Sequence, residues 1–178
     1  ITLWIVRNMN PRKVDKYFRK LQLLSAAVYS LSHGSNDAQK TIGIITIVLF
    51  TNNMLGETFY VPFWVIIISH SVIALGTLFG GWKVIKTLGM RVTKLTPFGG
   101  FSAETAAGLT IIGATLGGIP VSTTHTITGA IIGVGSIKGF SAVRWGVAKN
   151  ILWAWVLTIP LSAFFAMLTY LIATGIFK

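Results

Sequence analysis

Hydrophobic and polar positions fall into long blocks along this chain. Residues 61–81 are an unbroken apolar run of the length a helix needs to cross a bilayer. Residues 151–177 form another, with Trp153 and Trp155 near its start as interfacial anchors. Residues 21–50 form a third, but its middle is polar: 21–31 and 41–50 are apolar, and between them lies SHGSNDAQK, residues 32–40. Two further segments, 98–117 and 121–136, are rich in Gly, Ala, Ser and Thr and are separated by Gly118, Ile119 and Pro120. Small residues of this kind suit packing against protein more than lipid.

Between the apolar blocks the chain is basic. Of the 15 Lys and Arg, six fall in residues 7–20, four in 83–94 and three in 138–149. Such clusters mark cytoplasmic loops. Residues 1–20 therefore read as a truncated helix end followed by a basic cytoplasmic loop or interfacial helix containing Pro11. Residues 51–60 hold no Lys or Arg and one acid, Glu57, and are placed outside. Residues 83–95 read as an amphipathic cytoplasmic segment. The pair within 98–136 then starts and ends on the same side, as a re-entrant hairpin or as a tight hairpin crossing twice; the shortness of 121–136 favours the first. The last crossing leaves the C-terminus outside. The opening residues, ITLWIV, lack an initiator Met and read as a cut end, with no secretory signal in view.

Composition supports the membrane assignment. Hydrophobic residues make up 53% of the chain and charged residues 11%, against about 25% charged in ordinary soluble domains. Mean hydropathy is +0.73. A net charge of +11 invites a nucleic-acid reading, but the basic clusters lack the interleaved aromatics on which bases stack. There is no cysteine, which excludes disulfides and thiolate metal sites.

Polar residues at mid-membrane are expensive unless they face protein or water. The spacing of 21–50 predicts a broken helix, two half-spans joined at Gly34, with Ser35, Asn36 or Asp37 capping the second half. A half-helix N-terminus at the midplane offers unpaired N–H groups and the positive dipole end to an anion. Asp37 fits that anion only if it holds a co-transported cation or carries a proton itself. Its simpler role is to cap a helix and pair with Lys40 three residues on. Ser32 and Asn36 are expected to offer further oxygen donors to a cation held at Asp37. His33 serves either as a proton relay or as a packing residue.

The second hairpin arm opens on Pro120, then Ser122, Thr123, Thr124 and His125. Pro suits the first turn of a helix. Consecutive hydroxyls with free N–H groups at a helix start suit a tetrahedral oxyanion; the blander reading is that they only satisfy backbone groups. His125 either donates to substrate or pins the hairpin. Glu104 either pairs with a Lys and gates the cytoplasmic entrance or is a plain interfacial acid. His70, alone in its apolar run, reads as a satisfied core histidine.

Residues 32–40 followed by TIGIIT, and later PVSTTHTITGAIIGVG, resemble the PiT family of inorganic phosphate transporters, specifically its C-terminal half, from about Arg12 onward. The resemblance implies an all-α integral membrane fold and one inverted-repeat half, with substrate and ions between two halves. It places Asn36 and Asp37 in a Gly-x-Asn-Asp signature and Ser122, Thr123 and Thr124 in a phosphate-binding hairpin motif. Here the signature reads Gly34-Ser35-Asn36-Asp37, with Ser where Ala is frequent. It implies symport of phosphate with Na+ or H+ by alternating access in a cell membrane, no cofactor, and no enzymatic activity. The implied partners are phosphate, membrane lipid and a missing N-terminal half; a homodimer stays open. Sulfate or a metal–phosphate complex is an alternative cargo. An intramembrane serine hydrolase built on Ser122, a His and Asp37 is disfavoured. His125 follows Ser122 by three residues on one helix, a poor general-base placement, and no nucleophile elbow is present. A purely structural membrane scaffold would leave the buried polar run unexplained.

Overall fold

The computed structural model describes residues 1–176. The described residues are helical, in the order α1 (Thr2–Val6), α2 (Pro11–Thr51), α3 (Phe63–Lys86), a π-helical turn (Thr87–Val92), α4 (Pro97–Leu116), α5 (Thr123–Ile137), a 3-10 turn (Phe140–Ala142) and α6 (Trp145–Ile176). The chain divides into two units, Ile1–Val143 and Arg144–Lys178.

In the first unit α2 is the axis. It packs along α4 and α3, and α4 packs back against α5. The α2–α4 contact follows from sequence: α4 buries Gly99, Gly100, Ala103, Ala107, Gly108 and Ile111, a stripe at near four-residue spacing. Small side chains on such a stripe let two backbones approach closely. A methyl built on Gly108 would rest 3.9 Å from Tyr29 Cα and from Ser32 Oγ, ordinary contact distance. Near the basic end, Phe18 is clamped edge-on between Phe98 and Phe101, with ring centroids 4.9 and 5.1 Å apart. On the other side of α2, Ala38 and Ile42 pack against Val65 of α3.

The main departure from the sequence expectation is α2. It is one continuous helix of 41 residues, without a break at 32–40. Gly34 keeps helical geometry, and Ser35, Asn36 and Asp37 lie inside the helix and cap nothing. Glycine in a helix costs about 1 kcal/mol relative to alanine. Opening several backbone hydrogen bonds inside a membrane costs several kcal/mol each. Asn36 and Asp37 find partners instead across the interface with α4 and α5, at Thr115 and Thr123.

Other boundaries shift too. Of the two readings of the basic stretch after Pro11, loop or helix, the structure shows helix: Asn10 caps α2 by accepting from the Arg12 N–H at 3.0 Å, and Pro11 occupies the first turn. The apolar run 61–81 continues as helix to Lys86, so residues 83–95 comprise the last turn of α3, the π turn and the start of the connection to α4. Lys83 and Lys86 in that last turn complement the negative end of the helix dipole. The hairpin arms are α4 and α5, joined by 117–122. Pro120 lies in that connection and not in α5's first turn. Gly118 takes a positive φ of 67° there, which a glycine adopts without strain.

The second unit, described by itself, is α6, which starts at Trp145 rather than 151. Pro160 lies inside it and removes one backbone donor. Phe177 and Lys178, and with them the side on which the chain ends, lie outside the described residues. Two stretches, Phe63–Val92 and Trp145–Gly175, are long and apolar enough to cross a membrane.

Candidate functional site

The site forms where the N-terminus of α5 meets the middle of α2. Ser122 is the N-cap of α5, its Oγ accepting from the His125 N–H at 3.4 Å. The chain thus enters the helix with Thr123 and Thr124 in its first turn, where backbone N–H groups lack intrahelical partners. Thr123 is buried and aims its hydroxyl at α2, donating to both oxygens of Asp37 at 3.1 and 3.2 Å. The bond joins residues 86 positions apart.

Asp37 is the hub. His33, one turn earlier, donates from Nε2 to its Oδ2 at 2.9 Å. Lys40 lies 4.0 Å from its Oδ1, but places its ammonium closer to the Val121 carbonyl, at 2.9 Å. Lys40 thus ties the hairpin turn to α2 and only loosely balances Asp37. With its side chain 36% exposed, Asp37 keeps access to a ligand.

Asn36 faces the other hairpin arm. Its Nδ2 donates to Thr115 Oγ1 at 3.0 Å, and its Oδ1 is buried with no partner. At 5% exposure, an orphaned acceptor of this kind is unusual. Ser32 donates to the Tyr29 carbonyl at 2.9 Å, back along its own helix, and does not touch Asp37. Its lone pairs stay available.

Three residues fall elsewhere. Among the described residues Glu104 has no lysine partner. It accepts from Ser25 Oγ at 2.6 Å, and Ser25 is buried. His125 is exposed and contributes its backbone N–H to the cap. His70 is exposed on α3, contrary to the core reading, its Nδ1 donating to the Ile66 carbonyl at 2.8 Å. The helix supplies its own acceptor, so the ring needs no core around it.

A groove of about 690 Å³ opens beside the hub between α2, α3, α4 and α5. Gln22, Tyr29, His33, Glu104 and Thr124 line its polar side. Of these, Gln22 and Tyr29 escaped sequence reasoning, as did the bond of Glu104 with Ser25. Their signal is periodic: Gln22, Ser25, Tyr29, Ser32 and Asn36 recur at three- and four-residue steps, one polar stripe on one helix. That stripe also argues for an unbroken α2.

The arrangement holds acceptors for a cation beside donors for an oxyanion. Asp37 and the orphaned Asn36 carbonyl are hard oxygen ligands, the type that cations without soft preferences take. Ser122, Thr123, Thr124 and the first N–H groups of α5 are neutral donors. Among the described residues no group of three metal-ligating side chains occurs.

Comparison with known proteins agrees with this chemistry. Residues 5–166 match the phosphate transporter family, PHO4. The chain is 56% identical over 173 residues to a probable low-affinity inorganic phosphate transporter of Rhizobium meliloti (strain 1021), covering 97% of this chain and 52% of that protein. A protein of the same description from Bacillus subtilis (strain 168) is 43% identical, with the same coverage. A solved structure described as the sodium-dependent phosphate transporter superposes with a TM-score of 0.72 at 33% identity, over 88% of this chain and 41% of that one. The chain spans about half the length of the curated relatives it matches. These relatives are transporters rather than enzymes, and with the family match running from residue 5 to residue 166, the chain belongs to the phosphate transporter family.

Proposed function

We propose that this chain is one of two inverted halves of a secondary transporter that moves inorganic phosphate across a cell membrane with Na+ or H+, by alternating access. The observation that carries the reading is the Thr123–Asp37 contact. It joins the hydroxyl-bearing N-terminus of α5 to the one carboxylate at the middle of α2. Phosphate takes the donors of Ser122, Thr123 and Thr124; the driving cation takes Asp37 and Asn36, with Ser32 near by. Asp37 touches both sites, so a cation there offsets its repulsion of the anion. That is the physical basis of coupling: the two ligands bind better together than apart. The names of the relatives support phosphate as cargo, and the half-length coverage supports a second half supplied elsewhere. This stretch by itself does not transport.

Uptake of radiolabelled phosphate by the intact transporter tests the assignment. Asp37→Asn and Ser122→Ala are each expected to bring uptake near background. Normal uptake in both variants would remove the site from this corner of the fold. Competition by sulfate separates the two oxyanions, since neutral donors bind either.

A further inference from the structure

One basic side chain stands apart from the rest. The three basic clusters, of six, four and three residues, take up all the Lys and Arg of the chain but Lys40 and Lys178. Lys40 lies in the polar middle of α2, three positions after Asp37, where a charge is costly unless it has a partner. Its hydrogen-bonded partner is neutral. The ammonium donates to the Val121 carbonyl at 2.9 Å and stays 4.0 Å from Asp37 Oδ1. Asp37 is engaged by others, by Thr123 on both oxygens and by His33 on Oδ2. The Lys40 side chain is 47% exposed, so packing does not lock it in place.

The resting place of the ammonium matters as much as its charge. Val121 immediately precedes Ser122, the N-cap of α5, and Thr123 and Thr124 follow in the first turn. An anion received by those hydroxyls and N–H groups lies beside the carbonyl that holds Lys40. A hydrogen bond to an ion is roughly twice as strong as one between neutral groups. An anion there outranks the carbonyl as a partner. The flexible stem of a lysine lets its ammonium turn from one acceptor to the other while the backbone stays at rest.

We propose that Lys40 is a direct ligand of phosphate: in the empty site its ammonium is parked on the Val121 carbonyl, and on binding it transfers to the anion. It brings a full positive charge to a site whose other donors, on α5, are neutral. The inference rests on the reading that phosphate binds at Ser122, Thr123 and Thr124, and adds to it a basic residue on the opposite helix.

Lys40→Cys in the intact transporter separates the charge from the tie to Val121; this chain contributes no other cysteine, and the unsubstituted transporter treated in the same way is the control. Aminoethyl methanethiosulfonate rebuilds an ammonium on the thiol. Hydroxyethyl methanethiosulfonate builds a neutral hydroxyl of similar length, which can still donate to the Val121 carbonyl. Equilibrium binding of radiolabelled phosphate to the purified protein is read for each. The Kd is expected to rise about tenfold or more in Lys40→Cys and to stay high after hydroxyethylation, the scale of one charge-assisted hydrogen bond. Aminoethylation should return it to near the parental value. Lys40→Gln needs no labelling, keeps a donor for Val121 and loses the charge; it should show the same raised Kd, whereas Lys40→Arg should stay close to the parent. A parental Kd in Lys40→Gln would overturn the proposal, and so would any result in which the aminoethyl reagent restores no more binding than the hydroxyethyl one. Ser122→Ala measured alongside keeps the two readings apart. If it loses phosphate while the Lys40 variants keep it, Lys40 is no ligand and the α5 site stands; if all of them bind normally, the site itself lies elsewhere.

Discussion

Helices α2 and α3 lie side by side and obey different solvents. The stretch Phe63–Val92 has a mean hydropathy of 1.9, and α3 buries only Val65 and Ser69. Its side chains are mostly apolar and exposed, so nearly any apolar residue serves at its outer positions. The middle of α2 carries His33, Asn36, Asp37 and Lys40, and its polar groups answer to named atoms on the hairpin. Hydropathy finds α3 because lipid reads only an average. It reads α2 as broken because the partners of its polar middle sit about 80 positions away in sequence.

The contrast is open to test by substitution, with the melting temperature of the purified transporter as readout. The largest effect is expected from Ser35→Pro. A proline there removes a backbone donor and drives its ring into the Leu31 carbonyl, costing about 3 kcal/mol or more in an unbroken helix. Little loss of melting temperature would mean that α2 is jointed after all. Asn36→Ala should cost about 1 kcal/mol, the scale of one interhelical hydrogen bond within a membrane, by releasing Thr115. The smallest effects come last. Gly34→Ala places a methyl where nothing lies within 4 Å and should be neutral or stabilise by up to about 1 kcal/mol. A marked loss would restore the broken-helix picture. Leu75→Val, on the exposed face of α3, should stay within about 0.5 kcal/mol.

Much of the molecule is legible in its residues. The blocks of 61–81, 98–136 and 151–177 lie within or close to α3, the α4–α5 hairpin and α6, because those helices are specified by local hydrophobicity and local breakers such as Gly118. The runs SHGSNDAQK and PVSTTHTITG lead to the family because polar and hydroxyl-rich stretches stand out in so apolar a chain. The continuity of α2 was less legible. Its polar middle carries a real desolvation penalty, and the residues alone do not reveal who offsets it. Asn36 needs Thr115, and Asp37 needs Thr123 and His33; only the last is a helical neighbour. The Ser25–Glu104 bond is hidden for the same reason, since nothing local to either residue names the other. Charge leaves loop and surface helix open in the sequence: the stretch after Pro11 and the end of α3 are helical because lysine and arginine are good helix formers whose heads reach water from a helix as easily as from a coil.

An unbroken α2 is also a mechanical element. At 41 residues it is about 60 Å long, twice the thickness of a hydrocarbon core. A rod without a joint cannot bend at its midpoint to expose one side of Asp37 and then the other. It can only tilt, slide or turn as a whole. A tilt of about 5° about one end carries the other through about 5 Å over that length. The basic turns at its start, Arg12 to Lys20, and Asp37 therefore belong to one rod, so that a displacement at either is carried to the other without a change of fold.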